Sequence, residues 1–167
     1  MSKYGCYSER SKETRVSIRT ASENTLEGIV SEKTDSTYFQ GRTRSWLKLK
    51  FTKSDDFIVV GFTKMKGAWR RFSGLLLAHM CGGRLTYAGR VGTGFTDRAL
   101  TTIGTRLDDI RKQESTFRKL SNLVRGEEVF WVKPCLVAEV NYCSWTKDGL
   151  LRHTSFKGIR EDKEPRR

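Results

Sequence analysis

The hydrophobic pattern divides the 167-residue chain into stretches of contrasting period. Residues 1–25 are polar and charge-dense, with Val16 and Ile18 as scattered apolar anchors, and carry neither a helical nor a strand repeat. This segment is expected to be poorly ordered in isolation. Residues 26–30 form a short apolar run suited to a strand. After a polar, turn-rich stretch to Ser45, the run Trp46-Leu47-Lys48-Leu49-Lys50-Phe51 alternates. Leu47, Leu49 and Phe51 then share one strand face, and Trp46, Lys48 and Lys50 the other.

A different pattern begins after the charged break Lys53-Ser54-Asp55-Asp56, where a domain boundary is expected. Strands are predicted over 57–63, 72–80 and 85–91, the last two joined by the tight-turn sequence Cys81-Gly82-Gly83-Arg84. Thr96-Asp97 then caps a helix of about four turns, in which Ala99, Leu100, Ile103, Leu107 and Ile110 recur at helical spacing. A basic segment runs on to Gly126. Strands over 136–145 and 150–156, separated by the turn Lys147-Asp148-Gly149, complete an order of three strands, a helix and two strands. That is the order of the OB-fold, and Gly61, Gly74, Gly89, Gly92 and Gly94 fall where a small barrel needs bulges and bends. The predicted class is mainly β: a five-stranded OB-fold barrel with one helix, preceded by a small β fragment. Another small β-barrel or an α+β sandwich is the alternative.

Charge narrows the partners. Thirty-two Lys and Arg against nineteen Asp and Glu leave a formal net charge of +13, spread over the whole length. A polyanion follows as the first candidate partner, nucleic acid ahead of an anionic membrane surface. The opening Met1-Ser2-Lys3-Tyr4 has no apolar signal core and no run is long enough to span a bilayer, so a soluble, intracellular protein is expected. Cys6, Cys81, Cys135 and Cys143 are far apart, and the histidines are His79 and His153. Neither a zinc site nor a disulfide framework is expected.

The chemistry-bearing residues begin with Lys48 and Lys50, two cations on one strand face beside Trp46. Such a pair suits a nucleotide's phosphates, although solubilising lysines on an exposed face are the commoner meaning of the same spacing. Glu27, entering the earlier strand ahead of Gly28, shifts the balance. A carboxylate there can hold a metal ion beside phosphates, and the glycine leaves room for close approach.

Several segments in order resemble motifs IV and V of the covalent nucleotidyltransferases: Leu26-Glu27-Gly28-Ile29-Val30-Ser31, Asp35-Ser36-Thr37-Tyr38, Gly41-Arg42 and Trp46-Leu47-Lys48-Leu49-Lys50. They are most similar to the ligase module of bacterial ligase D, the ATP-dependent DNA ligase of non-homologous end joining. The resemblance continues through Gly89-Arg90-Val91-Gly92-Thr93-Gly94-Phe95, Pro134-Cys135-Leu136-Val137-Ala138-Glu139-Val140 and Trp145-Thr146-Lys147-Asp148-Gly149, and ends over residues 150–163. It implies residues 26–53 as the last strands of an adenylation domain, 54–163 as the OB-fold domain, 1–25 as a remnant and 164–167 as a basic tail.

It also implies roles. Glu27 stands for the motif IV carboxylate near the catalytic metal, and Lys48 and Lys50 for the motif V lysines that bind phosphate during adenylyl transfer. Arg152, Arg160, Asp162 and Lys163 fall in motif VI, which orients the pyrophosphate of ATP. ATP and Mg2+ are implied as cofactors of the complete enzyme. Fixed cations stabilise the charge that builds at phosphorus without reorganising.

One departure limits the activity expected of this chain. The Lys-x-Asp-Gly motif that accepts AMP is absent, and Lys147-Asp148-Gly149 is one residue too short and lies in a turn. Thr154 stands where proline is expected, and Glu32 where a basic residue is usual. The enzymatic expectation is a terminal ligase part that seals nicks once joined to a missing N-terminal ligase fragment. The binding expectation is an OB-fold module, or the remnant of a truncated gene, that clamps double-stranded or nicked DNA through Lys64, Lys66, Arg70, Arg71, Arg84, Arg90 and the basic loop over 111–125. An RNA-capping guanylyltransferase is disfavoured by the ligase-like tail after Trp145. Bacterial Ku is a candidate partner, and the cytoplasm, at the nucleoid, the expected location.

Overall fold

The computed structural model describes residues 18, 21, 26–33, 35–37, 39–41, 45–67, 69–117 and 126–165. The expectation for residues 1–25 therefore lies almost wholly outside the described residues, as do Arg166 and Arg167 of the tail and most of the basic loop. The chain separates into two compact units, Met1–Phe51 and Thr52–Arg167.

The first unit contains an antiparallel pair, β1 (Gly28–Glu32) and β2 (Trp46–Lys50), with Ile29 opposite Leu49 and Val30 opposite Lys48. The alternation read from the sequence is realised: one face carries Ile29, Leu47 and Leu49, the other Val30, Trp46, Lys48 and Lys50. Every residue of β2 is exposed.

The second unit is built on β3 (Lys53–Met65), β4 (Gly74–Cys81), β5 (Arg84–Val91), α1 (Asp97–Asp109), β6 (Arg111–Lys112), β7 (Glu127–Tyr142), β8 (Ser144–Trp145), β9 (Leu151–Arg152) and β10 (Ser155–Ile159). The strands form an antiparallel sheet in the order β10-β7-β3-β4-β5, with β6 on β7 and a separate β8-β9 ribbon. Gly82 and Gly83 take positive φ, 55° and 75°, in the β4–β5 hairpin, as a two-residue primed turn requires. Thr96 caps α1 by accepting a hydrogen bond from the Ala99 amide at 3.2 Å. Leu100, Ile103 and Leu107 of α1 enter a core with Phe57, Val59, Phe62, Leu75, Leu77, Ala88, Val91, Val132, Ala138, Val140 and Phe156. The opposite face of the sheet buries Ile58, Val60, Leu76 and Ala78 under Tyr87, Phe117, Val129 and Trp131. A bulge between Val59 and Gly61 switches the alternation, so that Phe62 rejoins the side to which Phe57 and Val59 point.

This is an OB-fold-like arrangement, with three corrections to the sequence expectation. The sheet is open rather than a closed five-stranded barrel. Its edges meet through the Phe156 amide donating to the Thr93 carbonyl at 2.9 Å and the Thr154 hydroxyl donating to the Arg90 carbonyl at 2.9 Å, instead of through a ladder. Here Gly94 has φ +91°, and a Cβ on it would stand 2.4 Å from the Phe156 carbonyl oxygen. His153, with φ 55°, splits the expected last strand into β9 and β10.

Second, Lys53-Ser54-Asp55-Asp56 is no break but the start of β3, paired with β7 from Lys53 opposite Tyr142 onward. Polar side chains there are matched across strands, as when the Ser54 hydroxyl donates to Glu139 Oε1 at 2.8 Å. Third, β7 begins nine positions earlier than expected, at Glu127 rather than Leu136. Its register on β3 jumps from Val59 opposite Leu136 to Gly61 opposite Trp131. The intervening segment leaves β3, and Arg111 of β6 pairs with its first residue, Val132. Pro134, which has no N–H to donate, sits in that excursion.

Candidate nucleotide and nucleic-acid site

Three groups of predicted residues can be located. The first is on the β1–β2 pair. Lys48 lies opposite Val30 and Lys50 opposite Gly28. Glu27 directly precedes β1, and its carbonyl accepts a hydrogen bond from the Phe51 amide at 3.0 Å. A Cβ on Gly28 would lie 2.2 Å from the Leu49 carbonyl oxygen, so the missing side chain first of all lets β2 approach. Among the described residues no three His, Cys, Asp or Glu side chains assemble into a metal cage. A single carboxylate such as Glu27 still fits Mg2+, which is ordinarily held by one or two carboxylates with phosphates completing its shell.

The second group is the motif VI segment. The Arg160 guanidinium grips Asp162 through two hydrogen bonds, 2.9 Å from Nε and 2.7 Å from Nη2. Its Nη1 stands 3.6 Å from Asp56 Oδ1 and 3.7 Å from Glu139 Oε2. Lys163 is also paired with Asp56. The Arg160 amide donates to the Val137 carbonyl at 2.8 Å, which fixes the segment to β7. Hydrogen bonding to Arg160, reinforced by a backbone amide, lowers the Asp162 pKa to about 2, while the same carboxylate raises that of Arg160 above its ordinary value. Carboxylates outnumber cations in this cluster. Arg152 is in β9, separated from the cluster by the whole of β10.

The third group is the set of basic residues assigned to DNA, and the fold divides it. Lys64 is the penultimate residue of β3, half-buried and opposite Glu128. Lys66 and Arg70 are exposed on the β3–β4 connection and form no ion pair with a described residue. Arg71 lies against α1, where its side chain occupies the space beside Gly104 and its Nη1 pairs with Asp108 at 3.1 Å. Arg84 is at the opposite end of β4, in the hairpin. Arg90 turns inward: its Nε donates to Thr63 Oγ1 at 3.1 Å and its Nη2 to Glu127 Oε1 at 2.9 Å. A half-buried, doubly bonded guanidinium of this kind ties β5 to the start of β7.

Comparison with known proteins decides the family. A family model described as the ATP dependent DNA ligase C terminal region matches residues 68–163. The chain belongs to this family of DNA ligases. Among relatives of the ligase segment, the multifunctional non-homologous end joining protein LigD of Pseudomonas aeruginosa is 36% identical over 144 residues, covering 84% of this chain and 17% of the relative. The corresponding DNA repair protein LigD of Mycobacterium tuberculosis is 37% identical over 141 residues, covering 83% of this chain and 19% of the relative. The crystal structure of the ligase domain from M. tuberculosis LigD superposes with a TM-score of 0.62 at 32% identity, over 92% of this chain and 50% of that one. A mycobacterial DNA ligase D complexed with ATP and MES gives 0.58 at 33% identity, again over 92% and 50%. The chain thus spans less than a fifth of these curated relatives and half of the solved ligase domains. No helix among the described residues is long and apolar enough to cross a membrane.

Within the ligase fold, the sequence reading overlooked four residues. Asp56 holds both Arg160 and Lys163, Glu139 holds Arg160, and Glu127 holds Arg90. Position alone gave no signal for them, since Asp56 and Lys163 are 107 positions apart. The fourth, Trp69, had a readable signal: an aromatic residue among Lys66, Arg70 and Arg71 in a connection between strands.

Proposed function

We propose that this chain is the terminal segment of an end-joining DNA ligase, which binds duplex DNA through phosphates and contributes Lys48, Lys50 and Glu27 to adenylyl transfer. The observation that carries the reading is the hairpin register, which puts Lys48 and Lys50 on one exposed face with Gly28 opposite Lys50, while Glu27, the next residue back along the chain, is tied to the Phe51 amide through its carbonyl. On such a face two ammonium groups can contact successive phosphate oxygens, and a divalent ion held at Glu27 supplies further neutralisation of charge. Arg160 and Lys163 can serve the pyrophosphate of ATP only by exchanging Asp56, Glu139 and Asp162 for phosphate oxygens. Arg152 is proposed as a further phosphate contact. Lys-x-Asp-Gly does not occur in these residues, so the lysine that accepts AMP must be supplied from outside them. The chain by itself therefore acts as a DNA-binding module. Bacterial Ku and a nucleoid location belong to the same proposal.

The test combines two measurements on the chain. Incubation with labelled ATP and Mg2+ is expected to leave no covalent protein-AMP adduct; a stable adduct overturns the assignment of the nucleophile. Affinity for a nicked duplex is expected to fall steeply as salt rises, because each neutralised phosphate releases counterions. A flat salt response overturns the clamp.

A further inference from the structure

Trp69 is 85% exposed, the most exposed of the large apolar side chains among the described residues. Tryptophan is usually highly buried, and a solvated indole on a stable domain marks a contact surface more often than a solitary leucine does. Its surroundings are basic. The Arg70 guanidinium carbon lies 5.6 Å from the ring centroid, Lys66 and Arg71 flank it in sequence, and no carboxylate occurs between Lys64 and Arg71. Met65, also exposed, adds apolar surface. The nearby acidic partner Asp108 is taken by Arg71, which leaves Arg70 and Lys66 without an ion pair among the described residues.

A protein partner would have to meet this ring together with unneutralised cations. An exposed nucleobase meets both, with a π-face for the indole and phosphates for the flanking charges. We propose that Trp69 stacks on the exposed base face of a DNA end while Lys66 and Arg70 hold the adjoining phosphates. The inference deepens the DNA-binding reading and rests on it: it assigns the β3–β4 connection to an open end rather than to continuous duplex.

The full chain, its W69A, W69F and R70A variants, and two probes of equal length test this. One probe is a hairpin duplex with a single open end, the other a dumbbell closed at both ends. W69A should weaken binding to the open-ended probe about tenfold, the size of one base-aromatic stack, and leave the dumbbell unchanged. W69F should retain most of the affinity. R70A should lower the salt dependence by about one phosphate on the open-ended probe and leave that of the dumbbell unchanged, whereas W69A should not alter it on either. Since Trp69 is solvated, circular dichroism should show every variant folded. Equal loss on both probes, or no loss with W69A, overturns the stacking role; the second result would point to a protein surface as the ring's partner. If the wild-type chain binds neither probe in a salt-dependent way, the DNA-binding reading fails and the stacking proposal with it.

Discussion

The two units solve the burial of apolar side chains in opposite ways. In the second unit the two faces of one sheet are both covered, and Val59, Leu75, Leu76, Leu77, Ala88 and Val91 are wholly buried. In the first, Val30, Leu47 and Leu49 project from a two-stranded pair with 56, 67 and 45% of their surface exposed. A pair of strands alone is marginally stable in water, because its hydrogen bonds must offset the entropy of ordering without a core. Lys48 and Lys50, proposed for adenylyl transfer, thus stand on a strand whose residues are all exposed, whereas the cations proposed for DNA stand on a sheet packed on both faces. Fixed charges help catalysis only when their support does not move. The contrast explains why binding is the activity expected of the chain by itself.

Paired truncations should expose the difference most strongly. Leu77→Ala removes a wholly buried side chain from β4 and should destabilise the second unit by about 3 kcal/mol in urea unfolding. Leu47→Ala on β2 should change the same midpoint by less than about 0.5 kcal/mol. Comparable losses would mean that Leu47 is packed in solution rather than exposed.

Within the second unit, Arg90 and Arg84 sharpen the distinction between a brace and a binding cation. Arg90→Ala strands Glu127, whose side chain is only 12% exposed and whose Oε2 already lacks a hydrogen-bond partner. The cost should be about 2 kcal/mol, read from thermal or urea unfolding, with no change in the salt dependence of DNA binding. Arg84→Ala, in the exposed hairpin, should leave stability within about 0.5 kcal/mol and reduce the salt dependence. A reversed pattern would restore Arg90 to the DNA surface.

What was legible in the sequence follows from which forces are local. Alternation over 46–51, the Gly82-Gly83 turn and the Thr96 cap with its apolar spacing are local, and each element formed where it was read. The start of β3 was not, because Lys53, Ser54, Asp55 and Asp56 look like a solvated break until their partners on β7 and after β10 are known. The start of β7 was hidden by the excursion around Pro134. For the site, the sign of each charge was legible but not its partner. Lys66 and Arg70 remain open to solvent, while Arg71, Arg90, Arg160 and Lys163 are already engaged by carboxylates of this chain.

The smallest effect concerns that last pair of elements, the motif VI segment and its carboxylates. Arg160, by hydrogen bonding, lowers the Asp162 pKa from the ordinary 3.8 to about 2. A carboxylate with a depressed folded-state pKa stabilises the fold above its unfolded pKa. That contribution is lost as pH falls from near 4 through about 2. Asp162 is well exposed, so screening keeps the effect on unfolding small, and the titration itself is the better measurement. Carbon-detected NMR should place the midpoint of the Asp162 carboxyl near 2, and R160A should return it toward 3.8. Adding inorganic triphosphate to the wild-type chain should act in the same direction as R160A if phosphate displaces Asp162 from the guanidinium. A midpoint that ignores triphosphate while Arg160 remains paired would show that the carboxylates hold motif VI too firmly for it to reach a nucleotide.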